Sequence, residues 1–258
     1  MVRNIAKSLI ACALLFGVVA AFTVLILTGK YEQSRVPPVS TLSSPLNVSG
    51  TYSVSQRKAI KKSRLSAVRV LAFSGDVGNV SVSTGTYFVH GSNHYILTVQ
   101  HGLFEASCDL IQIESDGVLR DCTDVVAFNQ YTDYAILKVD PLLNRTPIRF
   151  PQDFVKGKQR WTKTLAALTP MLYTGYPNTI GPVTLAGKVM GMSQDDFVYF
   201  NSYAWAGSSG SGVFDMNGKL VGYIVAIDVG QTEYGYDVLE NVILVVPNYK
   251  IDWAVLLE

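Results

Sequence analysis

Short apolar runs, separated by Gly, Asn, Asp or Pro about every 8 to 12 residues, fill the chain beyond residue 66. They form two groups of about six, on either side of a proline-containing connector at 143–169. The first group reads AVRVLAF, TGTYFVHG, HYILTVQ, CDLIQIE, GVLRDCTDVVAF and DYAILKVD; the second reads MLYTGYP, VTLAGKVMGM, DFVYFNSY, SGVFDM, LVGYIVAID and NVILVVP. This pattern predicts an all-β protein with two six-stranded antiparallel β-barrels, one over about 67–142 and one from about 170 onward.

The end of the chain departs from the strand pattern. In NYKIDWAVLLE, Ile251 and Val255 are four residues apart and fall on one face of a helix. We therefore expect a C-terminal helix after the second barrel, so that the two together occupy about 170–258.

The start of the chain carries the longest apolar segment. The 22 residues from Ser8 to Gly29 contain no charge, and Arg3 and Lys7 precede them. A helix of that length spans the hydrocarbon core of a bilayer, and basic residues before it favour a cytoplasmic N-terminus. We expect residues 1–29 to be an uncleaved transmembrane signal anchor, which makes this a single-pass membrane protein whose remaining residues lie on the non-cytoplasmic side.

Between the anchor and the first barrel the composition changes to Ser, Pro and charged residues with no sustained period. The segment 30–66 therefore predicts a linker. It ends in a basic cluster that is expected to be solvated, with contact to anionic lipid or a partner as the alternative. The cluster consists of Arg57, Lys58, Lys61, Lys62 and Arg64.

Composition and charge narrow the classes of function. The 258 residues are 48% hydrophobic and 16% charged, so the chain has ample material for a core. The 21 Lys and Arg nearly balance the 20 Asp and Glu. A net charge of +1 gives no reason to expect nucleic acid as a partner. We expect no cofactor and no metal.

Three polar residues stand at breaks between apolar runs. His101 ends the strand HYILTVQ, Asp133 precedes DYAILKV, and Ser209 lies in GSSGSG. Each alone has an ordinary explanation as a turn or surface residue. Together they supply the hydroxyl, the imidazole and the carboxylate of nucleophilic serine chemistry, and Gly207 stands two residues before the serine, where backbone N–H groups must turn inward.

In these segments the sequence resembles the chymotrypsin-fold, trypsin-like serine proteases. ILTVQHG is similar to that family's histidine strand, TDYAILKV to its aspartate segment and GSSGSGVF to its serine loop. The order of the remaining segments is most similar to the HtrA and related viral branches. The resemblance covers about 67–257, so that 67–258 is interpreted as a serine protease domain that acts on polypeptides.

The resemblance implies a role for each residue at these positions. His101 would be the general base and acid, Asp133 its orienting carboxylate and Ser209 the nucleophile, with the N–H groups of Gly207 and Ser209 as the oxyanion hole. Ser211 is the rival nucleophile, and Asp124 is the rival carboxylate. His90 and His94 lie in or beside turn residues and are expected at the surface.

The sequence also departs from the family pattern. Ser208 stands where zymogen-activated members have an aspartate, so activity is expected to need no new N-terminus. Gly212 replaces the usual proline. The chain ends at Glu258 with no peptide-binding domain, which puts HtrA-type regulation in doubt.

The resemblance also implies a specificity pocket. Tyr203 would form its base and Ala204 would lie beside it. Its wall would be formed by Ile224, Val225 and Ala226. No acidic residue lies at the base, although Asp228 lies just beyond the wall, and a buried cation without a partner is costly. Small or medium uncharged side chains are therefore expected before the scissile bond.

The sequence leaves the pairing of Cys108 with Cys122 open. A three-residue loop at 114–116 would set the two cysteines facing each other and allow a disulfide. A two-residue turn at 116–117 would instead set Cys108 opposite Val125 and leave free thiols. Three sequons fit a lumenal or extracellular domain, at Asn47, Asn79 and Asn144.

Two further interpretations fit the same pattern of residues. The chain could be an inactive binding module that has the barrels without the chemistry. As a context, it could also be the protease segment of a viral polyprotein.

Overall fold

The computed structural model describes residues 52–74, 79–103, 106–150, 161, 164–177, 180–232 and 235–257, with backbone alone at 228–232, 235–237 and 240. All of them belong to one compact unit. The predicted anchor and the linker as far as residue 51 lie outside the described residues. In the part of the chain that is described, no helix is both long and apolar enough to cross a bilayer.

The first barrel is built from six antiparallel strands in the order β1-β4-β5-β6-β3-β2, and pairing of β1 with β2 closes it. Its strands are β1 Ala67–Phe73, β2 Val80–His90, β3 Asn93–Val99, β4 Ile111–Ser115, β5 Val118–Asn129 and β6 Tyr134–Val139. A short β7, Ile148–Arg149, runs parallel to β2. Alternate strand residues such as Val68, Ile96 and Leu137 fill the core with no exposed surface.

The second barrel closes in the order β10-β13-β12-β11-β8-β9. Its strands are β8 Pro170–Gly175, β9 Val183–Met192, β10 Val198–Asn201, β11 Gly212–Asp215, β12 Leu220–Thr232 and β13 Gly235–Pro247. All six pair with antiparallel neighbours. The prediction of two six-stranded antiparallel barrels is therefore confirmed.

The predicted C-terminal α-helix is wrong. The chain instead forms two 3₁₀ turns, Asn248–Lys250 and Trp253–Leu256. Ile251, Trp253 and Leu256 are all buried. Trp253 and Leu256 are three residues apart, which puts both on one face of a 3₁₀ turn. The indole of Trp253 donates to the Asn248 carbonyl at 2.8 Å, and its ring meets that of Phe88 edge-on, so the tail packs against the first barrel.

An α-helix, α1 Val54–Ser66, occupies the end of the segment that the sequence predicted as a linker. Ser53 caps it, because its hydroxyl accepts from the N–H of Gln56 while the Gln56 side chain accepts from the N–H of Ser53. The buried face consists of Ala59, Ser63 and Ser66. Because these buried residues are small and mostly polar, the sequence had no apolar helical period from which to predict a packed helix.

Helix α1 packs on the second barrel. The hydroxyl of Ser63 donates to that of Thr174 on β8 at 2.8 Å, and the ammonium of Lys62 donates to the Gly218 carbonyl at 2.7 Å. Partial burial lowers the pKa of Lys62, and Asp215 opposes that shift. Arg57, Lys58 and Lys61 remain exposed, whereas Arg64 is half-buried and donates to the Pro182 carbonyl at 2.9 Å, so the prediction of a solvated cluster is wrong for Arg64.

A disulfide joins Cys108 to Cys122, with Cα atoms 5.2 Å apart. The β4–β5 turn is of the two-residue kind, since Ser115 pairs with Val118. That register alone would set Cys108 opposite Val125. Cys108 instead begins a 3₁₀ turn before β4, which redirects it from the line of the strand toward Cys122.

We predict that removing this disulfide by the double change Cys108→Ser and Cys122→Ser lowers the free energy of unfolding by about 3 kcal/mol, because the bond closes a loop of about 15 residues in the unfolded chain. Chemical denaturation of the oxidised chain and the double variant measures this. Reductant should destabilise the wild type and leave the variant unchanged. Equal stability of all forms would contradict the prediction.

Candidate active site

Strand pairing in the first barrel brings His101 and Asp133 together. His101 follows β3 and Asp133 precedes β6, and these strands pair up to Val99 and Tyr134. Asp133 accepts twice from His101, with Oδ2 2.5 Å from the imidazole Nδ1 and Oδ1 2.8 Å from the backbone N–H. Its backbone has φ +54°, a left-handed conformation that aspartate tolerates better than most residues. The carboxylate is therefore placed to fix the orientation and tautomer of the imidazole.

The loop between β10 and β11 carries Ser209, and glycines give this loop its shape. Gly207 and Gly210 have φ of +93° and +87°. A Cβ on Gly210 would lie 1.9 Å from the Thr84 carbonyl oxygen, so only glycine fits against β2 there. The hydroxyl of Ser209 donates to the Val225 carbonyl at 3.3 Å, and no hydrogen bond joins it to His101 within the described residues.

The backbone N–H groups of Gly207 and Ser209 have no acceptor within the described part of the chain, which is also true of Tyr203, Ala204 and Ala206 in the same loop. The N–H of Ser208, which lies between Gly207 and Ser209, donates to the Trp205 carbonyl, and that of Gly210 donates to the Ile224 carbonyl. The unpaired N–H groups of Gly207 and Ser209 belong to the residues that the sequence predicted as an oxyanion hole. They are available to an anionic oxygen beside Ser209.

A cavity of about 540 Å³ contains His101, Asp133 and Ser209 in its lining. Four of the five predicted pocket residues also line it, namely Ala204 and the wall residues Ile224, Val225 and Ala226. Asp133 is the one carboxylate in the described lining, and the side chain of Asp228 lies outside the described residues. The surface offered to a substrate side chain is therefore mainly apolar.

Tyr203 does not close this cavity. Its side chain is 55% exposed, it is absent from the lining, and its ring stacks on Trp205 at 6.2 Å. Trp205 lines the cavity instead, together with Tyr131 and Phe197, and the sequence did not predict any of the three. Their one shared sequence signal is an aromatic side chain near the end of an apolar run, which is too common to identify a wall.

The rival residues lie elsewhere. Ser211 is fully buried and its hydroxyl donates to the Ser208 carbonyl at 2.6 Å. Asp124 is exposed on β5, opposite Lys138 in the register. Nδ1 of His94 is 2.5 Å from the Tyr87 hydroxyl, and the ring of His90 meets that of Phe150 edge-on. None of these lines the cavity.

Tyrosines of the second barrel support the site from behind. The hydroxyl of Tyr223 donates to the Thr132 carbonyl at 2.6 Å, next to Asp133. Burial raises the pKa of Tyr223 well above its usual value, and the charge of Asp133 adds to the shift. The hydroxyl of Tyr173 donates to the Tyr203 carbonyl, and burial raises the pKa of Tyr173 to about 12. Both side chains therefore remain neutral donors at physiological pH.

Comparison with known proteins places this chain in a family. Residues 83–222, which include all three groups of the site, match the trypsin-like peptidase domain. The chain belongs to the trypsin-like peptidase family. Among curated relatives, this trypsin-like domain is similar to probable periplasmic DegP-like serine endoproteases of Bartonella henselae, at 27% identity over 147 residues, and of Brucella suis, at 26% over 148 residues. Each match covers 57% of this chain and 28% of the relative.

Solved structures share the fold of this trypsin-like domain. A serine endoprotease from Yersinia pestis aligns with a TM-score of 0.57 and 19% identity, covering 77% of this chain and 64% of that one. The HtrA-type protease AlgW, determined with a tripeptide, aligns with a TM-score of 0.58 and 20% identity, covering 75% and 60%. At these identities the likeness shows the fold.

The raised pKa of Tyr173 predicts a loss of stability at high pH. In the unfolded chain this phenol ionises near pH 10, whereas in the fold it keeps its proton to about pH 12. The native state then binds more protons, so the free energy of unfolding falls with pH by about 1.4 kcal/mol per unit for this group. Its contribution is complete below pH 10 and is lost as pH rises toward 12.

Denaturation of the wild type and of Tyr173→Phe at pH 8 to 11.5 measures this effect. The variant should be less stable at pH 8, because it lacks the hydrogen bond to Tyr203, and should lose less stability above pH 10. Parallel curves for the two proteins would show that Tyr173 does not carry the pH dependence.

Proposed function

We propose that this chain is a serine endopeptidase that hydrolyses peptide bonds through an acyl-enzyme on Ser209. One observation carries the proposal: a hydroxyl and an imidazole already paired with a carboxylate line one cavity, and the backbone N–H of Ser209 beside them has no acceptor within the described residues. Family membership supports it. The chain spans 28% of the length of the relatives named above, so their whole activity is not assumed for it.

In the proposed reaction, His101 Nε2 removes the proton of Ser209 as Oγ attacks the scissile carbonyl carbon. Asp133 holds the other imidazole nitrogen protonated and stabilises the imidazolium that forms. The N–H groups of Gly207 and Ser209 bind the developing oxyanion, and His101 then gives its proton to the leaving amine. A water activated by His101 releases the acyl group and restores Ser209. The reaction begins when the hydroxyl leaves the Val225 carbonyl and turns to His101.

The proposed location is a membrane, with the protease domain on the non-cytoplasmic side and a polypeptide as substrate. Cys108–Cys122 supports this, because disulfides persist mainly in oxidising compartments. The relatives that match the domain are named as periplasmic. The anchor at 1–29 rests on the apolar sequence alone.

A second candidate is a binding module that uses the same cavity without chemistry. The hydrogen bond of Ser209 to Val225, in place of one to His101, is the observation that favours it. Reaction of the serine with an active-site-directed reagent distinguishes the two.

We predict that a fluorophosphonate labels the full chain at Ser209 and that labelling and peptide cleavage disappear in Ser209→Ala and His101→Ala. Asp133→Asn should lower turnover by about 10⁴, because the imidazole loses the partner that fixes its tautomer. Asp124→Asn is a matched control that should still label, since its side chain does not reach the cavity. No labelling of a folded wild type would favour the binding module.

We predict cleavage after small or medium uncharged residues such as Val, Ala and Leu, because the cavity wall is apolar. Discrimination should be modest, since one methylene contributes only about 1–3 kcal/mol. Cleavage of a mixed peptide library by the full chain, read by mass spectrometry, measures the preference, and Ser209→Ala controls for contaminating proteases. Dominant cleavage after Arg, Lys or Glu would contradict the apolar pocket and leave the proposed chemistry intact.

A further inference from the structure

Thr84 lies on β2 of the first barrel and is fully buried. It contacts the serine loop, the loop between β10 and β11 that carries Ser209. Its backbone N–H donates to the Ser209 carbonyl at 2.8 Å. Its hydroxyl donates to the Gly207 carbonyl at 2.7 Å. One residue therefore bonds the carbonyls of both residues whose N–H groups form the proposed oxyanion hole.

The direction of the hydroxyl bond is fixed. The same oxygen of Thr84 accepts from the backbone N–H of Tyr176 at 2.9 Å. Because that N–H can only donate, the single proton of the hydroxyl is left for the Gly207 carbonyl. The carbonyl of Thr84 accepts from the Thr98 hydroxyl at 2.8 Å, a bond that lies within the first barrel.

These bonds constrain the peptide planes around Ser209. The Gly207 carbonyl belongs to the peptide bond before Ser208, and the Ser209 carbonyl belongs to the one that follows Ser209. The peptide between them carries the N–H of Ser209, and its carbonyl accepts from the N–H of Ser211 at 3.1 Å. Since each peptide is planar, fixing these three carbonyls fixes the direction of the free Ser209 N–H.

We propose that Thr84 is a positioning residue for the oxyanion hole, acting through its hydroxyl on the Gly207 carbonyl. The proposal rests on the proposed function of Ser209 as a nucleophile. Thr84 does not itself line the cavity, so it affects catalysis by holding the loop. A preorganised oxyanion hole stabilises the transition state more than the bound substrate. Loss of this preorganisation should therefore lower kcat more than it raises KM.

Three variants of the full chain test this. Thr84→Val removes the hydroxyl and keeps the shape, Thr84→Ser keeps the hydroxyl, and Thr98→Val removes a buried hydroxyl that bonds Thr84 and no atom of the loop. We expect kcat of Thr84→Val to fall about tenfold to a hundredfold, less than the 10²–10³ lost with a direct oxyanion donor, with KM within about twofold. Thr84→Ser and Thr98→Val should stay within about threefold of the wild type.

A transition-state mimic separates positioning from general loosening. A peptide trifluoromethyl ketone forms a tetrahedral adduct with a reactive serine, and its affinity for Thr84→Val should fall by the same factor as kcat/KM. Binding of the matching uncleaved peptide to Ser209→Ala, with and without Thr84→Val, should be equal. Unchanged kcat, an equal loss in Thr98→Val, or a loss confined to KM would each overturn the proposal.

Amide hydrogen exchange tests the geometry without activity. In the wild type, the amides of Thr84, Ser208 and Gly210 should exchange at similar rates, because one opening of the loop breaks all their bonds. In Thr84→Val, Ser208 and Gly210 should exchange at least about tenfold faster, while strand β6 is unchanged. Unrelated rates in the wild type would overturn the proposal, even if the variant fails to fold. A wild type that exchanges as expected but never labels would instead refute the proposed function alone.

Discussion

The hydrogen bonds from β2 to the serine loop join the two barrels at the point where the reacting groups must meet. His101 and Asp133 come from the first barrel and Ser209 comes from the second, so no single barrel can hold the site. A misplacement of about 1 Å can cost a hundredfold in rate. Glycines permit the approach: a Cβ on Gly212 would lie 2.4 Å from the Thr86 hydroxyl, and one on Gly210 would overlap Thr84.

Neutral hydroxyls support the site at three points. Tyr223 bonds the turn that holds Asp133, Tyr173 bonds the chain at Tyr203, and Thr84 bonds the serine loop. A buried hydroxyl that is hydrogen-bonded costs far less desolvation than a buried charge. Raised pKa values of Tyr173 and Tyr223 are the consequence of that environment, and they keep both donors protonated. The hydrogen bonds at the contact between the barrels therefore do not change with pH in the neutral range, in which an imidazole can serve as a general base.

The local pattern of apolar and polar residues was enough to predict the strands but was too weak to predict the helices. Alternating apolar residues predicted both barrels, because a strand with one buried face repeats every two residues. Helix α1 buries Ala59, Ser63 and Ser66, and such small polar residues carry no apolar period. At the C-terminus, Ile251 and Val255 suggested a helical face, but burial of Trp253 and Leu256 selected 3₁₀ turns. The cysteine pair also depended on a turn, at Cys108, that the strand register does not contain.

Candidate chemistry was visible in the sequence because each group stands at a strand end beside a glycine or a turn. The hydrogen bonds that support these groups were not visible in the sequence, because the residues that form them are far apart along the chain. Thr84 is 123 residues from Gly207, and Tyr223 is 91 residues from Thr132. A threonine within a β-strand has ordinary propensity, so nothing in the pattern marks Thr84. The prediction for Tyr203 was wrong for a related reason. Its ring stacks on Trp205 outside the cavity, and the alignment that placed Tyr203 six residues before Ser209 contains no information about that neighbour.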